Sequence, residues 1–158
     1  MNRDASDEAL RVFSKVFADF AFLFGDPVAR EELAPPDGRL LLASLPFQGQ
    51  VLGAIEIGVP EVLAFEIAAN TLGVDPGDPQ VAAKAPDALK EVASVMGGHL
   101  ATTFAGTGTS VALSPPRLQS LDEAQWDELR ADGSTLCFSM NDHPVLFRFA
   151  CARGGSST

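Results

Sequence analysis

The chain has 158 residues, 46% of them hydrophobic, which predicts one compact domain spanning residues 1–158 around one substantial core. Its 21 acidic and 11 basic residues give a net charge of -10, so it lacks the basic surface needed to neutralise a phosphate backbone or an anionic membrane. The apolar run VFADFAFLF at 16–24 is shorter than the roughly 20 residues that span a bilayer. We therefore expect no nucleic-acid partner and no membrane partner.

The N-terminal stretch MNRDASDEALRVF carries charges of both signs and has neither an apolar block nor a small-residue cleavage site, which predicts a cytoplasmic protein.

The only cysteines of the chain, Cys137 and Cys151, lie in two strand-like segments that we interpret as a hairpin around NDHP. The predicted pairing puts Met140 near Val145. Cys137 then lies near Arg148, out of register for a disulfide, and we expect both thiols to be reduced core or strand residues.

The spacing of apolar residues, together with proline and glycine, divides the chain into helical and extended segments. Runs on either side of Gln48–Gly49 alternate like strands, and Pro60 suits the first turn of a following helix. In chain order the predicted elements are a core helix over 7–24, an acidic, proline-rich linker over 25–38, a hairpin over 39–59, a helix over 61–72, a long helix over 80–103, a strand that stops at Pro115–Pro116, a polar connection over 117–133 with a helical turn around Trp126, and a hairpin over 134–151 before a flexible tail at about 154–158.

This order groups helices with helices and strands with strands. Such grouping is typical of an α+β fold with a largely antiparallel sheet packed against long helices. A doubly wound parallel sheet would need strands that alternate with helices. The element order therefore predicts the α+β class.

The long helix contains the most informative segment, DALKEVASVMGGHLATTF at 87–104. At about 100° per residue, four positions fall within roughly 60° of one another on one face: Asp87, Glu91, Ser94 and Gly98. The apolar residues fall on the opposite side: Leu89, Val92, Ala93, Met96, Leu100 and Phe104. Periodicity predicts a buried face and an exposed face, but solvation alone can also produce a polar stripe.

Other site-like features have structural explanations. His99 and His143 have no histidine or cysteine at ligand spacing, so we expect no metal site. GTGTS at 106–110 precedes a strand and lacks the lysine of a P-loop, which predicts a turn. Ser94 has no local base and no nucleophile-elbow pattern, which argues against a serine hydrolase.

The segment GQVLGAIEIGVPEVLAFEIAANTLGVD, followed by DALKEVASVMGGHLATTF and SPP, resembles the CheX and CheC-like phosphatase family of bacterial chemotaxis. In that family a strand leads through a proline-started helix to a second helix with the pattern Asp or Ser, three residues, Glu, two residues, Asn, and later a proline. Here the pattern falls on Asp87, Glu91 and, at the asparagine position, Ser94. The family proline would fall at Arg117, one place beyond Pro116. The similarity covers roughly residues 40–116, and more loosely the whole chain.

The resemblance implies a CheC-like fold and a protein that docks its long helix on a phosphorylated, CheY-like receiver domain and hydrolyses the aspartyl phosphate. In the family, the glutamate pairs with a receiver lysine and the asparagine amide positions the attacking water. By this likeness Glu91 forms the ion pair that anchors docking, and Asp87 makes a peripheral polar contact. Gly98 leaves the clearance that lets the partner surface approach closely. No cofactor is implied for this chain, because any magnesium would belong to the receiver. A homodimer formed through the sheet is also compatible with the family.

Ser94 departs from the family pattern, because a hydroxyl close to the backbone replaces an amide on a longer arm. Displacing the attacking water by about 1 Å costs on the order of a hundredfold in rate, so we expect phosphatase activity to be weakened or lost. Glu66 and Asn70 form another carboxylate–amide pair one turn apart, which offers a substitute amide. The alternatives are a non-catalytic scaffold or dimerisation module of the same fold, and a small-molecule binder that no sequence feature favours.

Overall fold

The computed structural model describes residues 3–106 and 108–153, with the backbone alone for 3–6, 104 and 151–153. Within these ranges the fold is α+β with an antiparallel sheet, as predicted. The tail predicted at 154–158 lies outside the described residues, as does Thr107 in the predicted turn. The elements are α1 (Arg3–Ala21), β1 (Gly25–Pro27), a 3₁₀ turn (Arg30–Glu32), β2 (Leu40–Gly49), β3 (Val51–Pro60), α2 (Glu61–Leu72), α3 (Pro79–Gly106), β4 (Val111–Leu113), β5 (Arg117–Leu121), α4 (Glu123–Ala131), β6 (Thr135–Met140) and β7 (His143–Arg153).

Six of the seven strands found in the described ranges pair in the order β1-β6-β7-β3-β2-β4, all antiparallel. β5 pairs with β2 as well, along Leu40–Ser44, while β4 pairs with its other end, Phe47–Gly49. The break between β4 and β5 falls at Pro115–Pro116, because a proline cannot donate a ladder hydrogen bond. The predicted β2–β3 hairpin is confirmed.

The two faces of the sheet are covered by different layers. Along β2, Leu41, Ala43 and Leu45 belong to the large core beneath α1, α2 and α3. Leu40 and Leu42 point the other way and pack with Trp126 of α4 in a smaller core. Because side chains alternate along a strand, one apolar run supplies both cores.

The end of α1 differs from the prediction, which extended the helix to Phe24. The Leu23 backbone N–H donates to the Phe17 carbonyl (3.0 Å), and Phe22 has a φ of 56°, a left-handed conformation that cannot continue the helix. The helix therefore ends at Ala21, leaving Phe22 64% and Phe24 74% exposed. The predicted linker also contains β1, which pairs with β6.

The predicted polar connection over 117–133 is wrong in most of its length, since it forms β5 and α4. A capping box starts α4: the Gln125 N–H donates to Asp122 Oδ1, and the Asp122 N–H donates to Gln125 Oε1, both at 2.8 Å. Trp126 is fully buried, over Gly58 of β3. The predicted helical turn is thus a helix that covers the second face of the sheet.

The C-terminal hairpin forms, but in a different register from the one predicted. Met140 pairs with His143 and Cys137 with Leu146, because the turn contains only Asn141 and Asp142, both with positive φ. Cys137 is a buried free thiol, whereas the side chain of Cys151 is not among those that the structure describes.

Among the described helices, none has the length and apolar composition needed to cross a membrane.

Candidate functional site

The long helix α3 runs over Pro79–Gly106 and includes the segment singled out in the sequence. Its predicted inner face is buried against α1, α2 and the sheet; the side chain of Phe104 is not described. The buried side chains are Leu89, Val92, Ala93, Met96 and Leu100. The amphipathic orientation predicted for this helix is therefore confirmed.

The outer face of α3 contains all four residues that the sequence singled out. Asp87 and Glu91 are exposed, while Ser94 and Gly98 are partly exposed. At about 1.5 Å of rise per residue, the four positions extend over about 16 Å of helix surface. The fold thus brings them together as one continuous surface, which we call the α3 face.

Two adjacent glycines on α3 have different surroundings. A Cβ atom at Gly97 would overlap the Leu45 side chain of β2 and lie 3.5 Å from Leu113 Cδ1. At Gly98, a Cβ atom would have nothing within 4 Å. Gly97 therefore allows α3 to approach the sheet closely, whereas packing within the described fold does not require glycine at position 98.

The charges of the α3 face are unpaired within the part of the chain that the structure describes. There, neither Asp87 nor Glu91 forms a salt bridge or a side-chain hydrogen bond. The helix carries two carboxylates and two lysines, Lys84 and Lys90, and is neutral in a chain of net charge -10. Two unpaired carboxylates are thus available to a partner on a surface that is less negative than the chain as a whole.

No side-chain amide on α3 lies near Ser94. The helix has one amide residue, Gln80, which is fourteen residues away and thus about 21 Å along the axis. The other carboxylate–amide pair, Glu66 and Asn70, has partners within the fold. Asn70 Nδ2 donates to the Ala21 carbonyl (2.8 Å), and Glu66 Oε2 lies 3.7 Å from His143 Nε2. The Asn70 amide is therefore engaged with the end of α1 in this structure.

The chemistry that the α3 face itself offers is limited to two carboxylates and a hydroxyl. A carboxylate such as that of Glu91 can form an ion pair with a cation of another protein. The Ser94 hydroxyl can both donate to and accept from a water molecule. Among the described residues, no three His, Cys, Asp or Glu side chains are grouped so that they could hold a metal ion.

A polar cluster on the opposite face of the sheet could not be predicted from the sequence, because its members are far apart in the chain. Arg148 forms salt bridges with both Glu56 of β3 and Asp132, which follows α4. The Ser134 backbone N–H donates to Asp132 (2.7 Å) and, with Arg148, lowers the pKa of the Asp132 carboxyl. The cluster ties the end of α4 to the sheet and lines a cleft of about 410 Å³.

An antiparallel sheet covered by long helices, with the α3 face exposed on one of them, is the α+β architecture that the resemblance to CheC-like domains implies. The family model described as chemotaxis phosphatase CheX matches residues 41–138, from β2 into β6, and so includes α3. This match spans well over half of the chain. The protein therefore belongs to the CheX family.

Solved structures from several bacteria have the same fold. CheX from Desulfovibrio desulfuricans matches with a TM-score of 0.68 at 13% identity, over 94% of this chain and 99% of that one. CheX from Vibrio vulnificus gives a TM-score of 0.68 at 18% identity, over 94% and 96% of the chains. The Borrelia burgdorferi complex of CheX with CheY, BeF₃ and Mg²⁺ gives 0.69 at 20% identity, over 96% and 99%. No curated protein matches the sequence.

Proposed function

We propose that this protein docks through the α3 face on a phosphorylated, CheY-like receiver domain and hydrolyses its aspartyl phosphate slowly. One observation carries the proposal: in a member of the CheX family, the residues at the motif positions share an exposed helix face whose carboxylates have no partner within the described fold. The similar CheX of B. burgdorferi forms a complex with CheY, which supports a receiver as the partner.

Each residue of the α3 face has a role in this proposal. Glu91 forms an ion pair with a lysine of the receiver, because its carboxylate is exposed and unpaired in the described structure. Asp87, one turn earlier, makes a peripheral polar contact. Gly98 leaves space for the receiver surface, which is supported by the absence of neighbours around its Cβ position.

The proposed reaction needs little covalent chemistry from this protein. A water oxygen attacks phosphorus in line, the P–O bond to the receiver aspartate breaks, and its electron pair returns to the carboxylate. The products are an aspartate side chain and dihydrogen phosphate, which keeps both protons of the water. Positioning and charge neutralisation supply most of the catalysis in such transfers, so a docked helix can contribute without a nucleophile.

Ser94 occupies the position of the water-positioning asparagine. Its hydroxyl can hold the attacking water, but from a shorter arm than an amide. Hydrolysis is therefore slow in this proposal, with any magnesium ion bound by the receiver. A cytoplasmic location is part of this proposal, because the proposed partner is a receiver domain.

The decay of acyl phosphate on receiver domains from the same genome, measured with magnesium and with or without this protein, tests the proposal. We expect one receiver to bind in its phosphorylated form and to lose phosphate modestly faster. If no receiver binds in either form, docking on receivers is wrong.

The second candidate is a non-catalytic module of the same fold, which senses or sequesters the phosphorylated receiver or forms dimers through its sheet. The absence of an amide near Ser94 on α3 favours it. Binding to a phosphorylated receiver with unchanged decay would support this candidate against the phosphatase. Light scattering on the purified protein reports whether it is a dimer.

A further inference from the structure

Lys90 lies beside the α3 face, next to the position of the proposed chemistry. It precedes Ser94 by four residues, so their Cβ atoms are neighbours at about 5–6 Å on the helix surface. Helical side chains lean toward the N-terminus, so the Ser94 hydroxyl lies over the turn that contains Lys90, while the Lys90 side chain starts toward the turn before it. A phosphoryl group held outside Ser94 is within reach of the Lys90 ammonium, because lysine carries its charge on a flexible four-carbon stem.

The ammonium group of Lys90 is available for a partner. Within the described ranges it forms no salt bridge and no hydrogen bond, although Asp87 lies three residues before it. The side chain is half-buried, whereas that of Lys84 is exposed. A partly buried stem restricts where the ammonium can lie, and a lysine can bury its stem while keeping its charge accessible.

An aspartyl phosphate presents a doubly charged phosphoryl group, and phosphoryl-transfer proteins stabilise such groups with lysine, arginine or metal ions. Ser94 brings no positive charge, but Lys90 does. We propose that Lys90 contacts the phosphoryl oxygens of the docked receiver and thereby distinguishes the phosphorylated form from the unphosphorylated one. This inference rests on the proposed docking of the α3 face.

Lys84 provides a matched control for the charge. Lys84 also belongs to α3 and lies three residues from Asp87, but it precedes Asp87 whereas Lys90 follows it. It is ten residues from Ser94, or about 15 Å along the helix axis. Within the described residues, it is also without a salt bridge. Replacing either lysine removes the same charge from the same helix, and only Lys90 is placed to reach the phosphoryl group.

The test measures the affinity of the full chain for its receiver with magnesium alone and with magnesium plus beryllofluoride, which mimics the phosphoryl group. The quantity of interest is the ratio of the two affinities. We expect Lys90→Met to lower this ratio about tenfold, the loss typical of a hydrogen bond to a charged group. Lys84→Met should leave the ratio unchanged, and Lys90→Arg should keep most of it.

Three outcomes would overturn the inference. An unchanged ratio in Lys90→Met would show that Lys90 does not contact the phosphoryl group, while docking itself stands. An equal fall in both methionine variants would show a general effect of charge. Failure of the wild-type protein to bind any receiver in either state would refute the proposed function, and the inference with it.

Discussion

The Asn70 side chain on α2 donates a hydrogen bond of 2.8 Å to the carbonyl oxygen of Ala21, the last residue of α1. Ala21 is fully buried, and the chain turns sharply after it through the left-handed Phe22. The amide thus satisfies a carbonyl that the helix end leaves without an intrahelical partner. An asparagine that could have been assigned to catalysis from its position in the sequence has a structural role.

Asn70→Ala should lower the free energy of unfolding by about 1–2 kcal/mol, because the Ala21 carbonyl would lose its donor. Urea unfolding measures the change. Gln80→Ala, which removes the side-chain amide on α3, is the matched control and should have little effect. Receiver binding should be unaffected in both variants. A large loss of phosphatase turnover in stable Asn70→Ala protein would instead assign the amide to the reaction.

The sequence predicted α2, α3 and the β2–β3 hairpin well because each is specified by local signals, such as Pro60 before α2 and Gly73 after it. It also predicted the composition of the α3 face, since helical periodicity fixes which residues share a side. The end of α1 was missed because Phe22 takes a left-handed conformation that usually belongs to glycine or asparagine.

Other differences arise from contacts between segments that are distant in the chain. RLQSL has few apolar residues and becomes β5 because it pairs with β2. Trp126 packs over Gly58, on β3, where a Cβ atom would come within 3.3 Å of its ring. The role of Asn70 depends on the carbonyl of Ala21, 49 residues earlier. Local patterns cannot reveal these pairings, so the second core and the structural amide appear only in the folded protein.

Gly97→Ala should destabilise the protein. The added methyl group would overlap Leu45 in the large core, and overpacking costs about 1–3 kcal/mol, which outweighs a gain in helix propensity of up to about 1 kcal/mol. Thermal and urea unfolding both report the loss. Unchanged stability would mean that α3 can move away from the sheet without cost.

Gly98→Ala should have the opposite effect on stability. The methyl group meets nothing within 4 Å, so the variant gains about 0.5–1 kcal/mol of helix propensity. If Gly98 provides clearance for docking, the same variant should bind the receiver more weakly although it is more stable. Scanning calorimetry measures the change in stability, and titration calorimetry measures the change in affinity for the receiver. Increased stability with unchanged binding would remove Gly98 from the docking surface.

The Asp132 cluster predicts a dependence of stability on pH. Because the folded pKa of Asp132 is lowered by Ser134 and Arg148, its charged form stabilises the folded state above the unfolded pKa of about 3.9. This contribution is lost as pH falls through the folded pKa. Asp132→Asn should therefore be less stable than the wild type at pH 6, and the difference should shrink toward pH 3. A constant difference in urea unfolding over this range would contradict the assignment.

Ser94→Asn tests whether position 94 alone limits the proposed reaction. If the α3 face docks with the geometry of a phosphatase, the restored amide should raise acyl-phosphate turnover by about tenfold or more, since misplaced water costs up to about a hundredfold. The gain should disappear in the double variant Glu91→Ala, Ser94→Asn, because docking then loses its proposed ionic anchor. Ser94→Ala is the matched control and should abolish any residual turnover while keeping binding. If Ser94→Asn binds the receiver normally but gains no turnover, another part of the face limits catalysis, and the non-catalytic module becomes the better account of this chain.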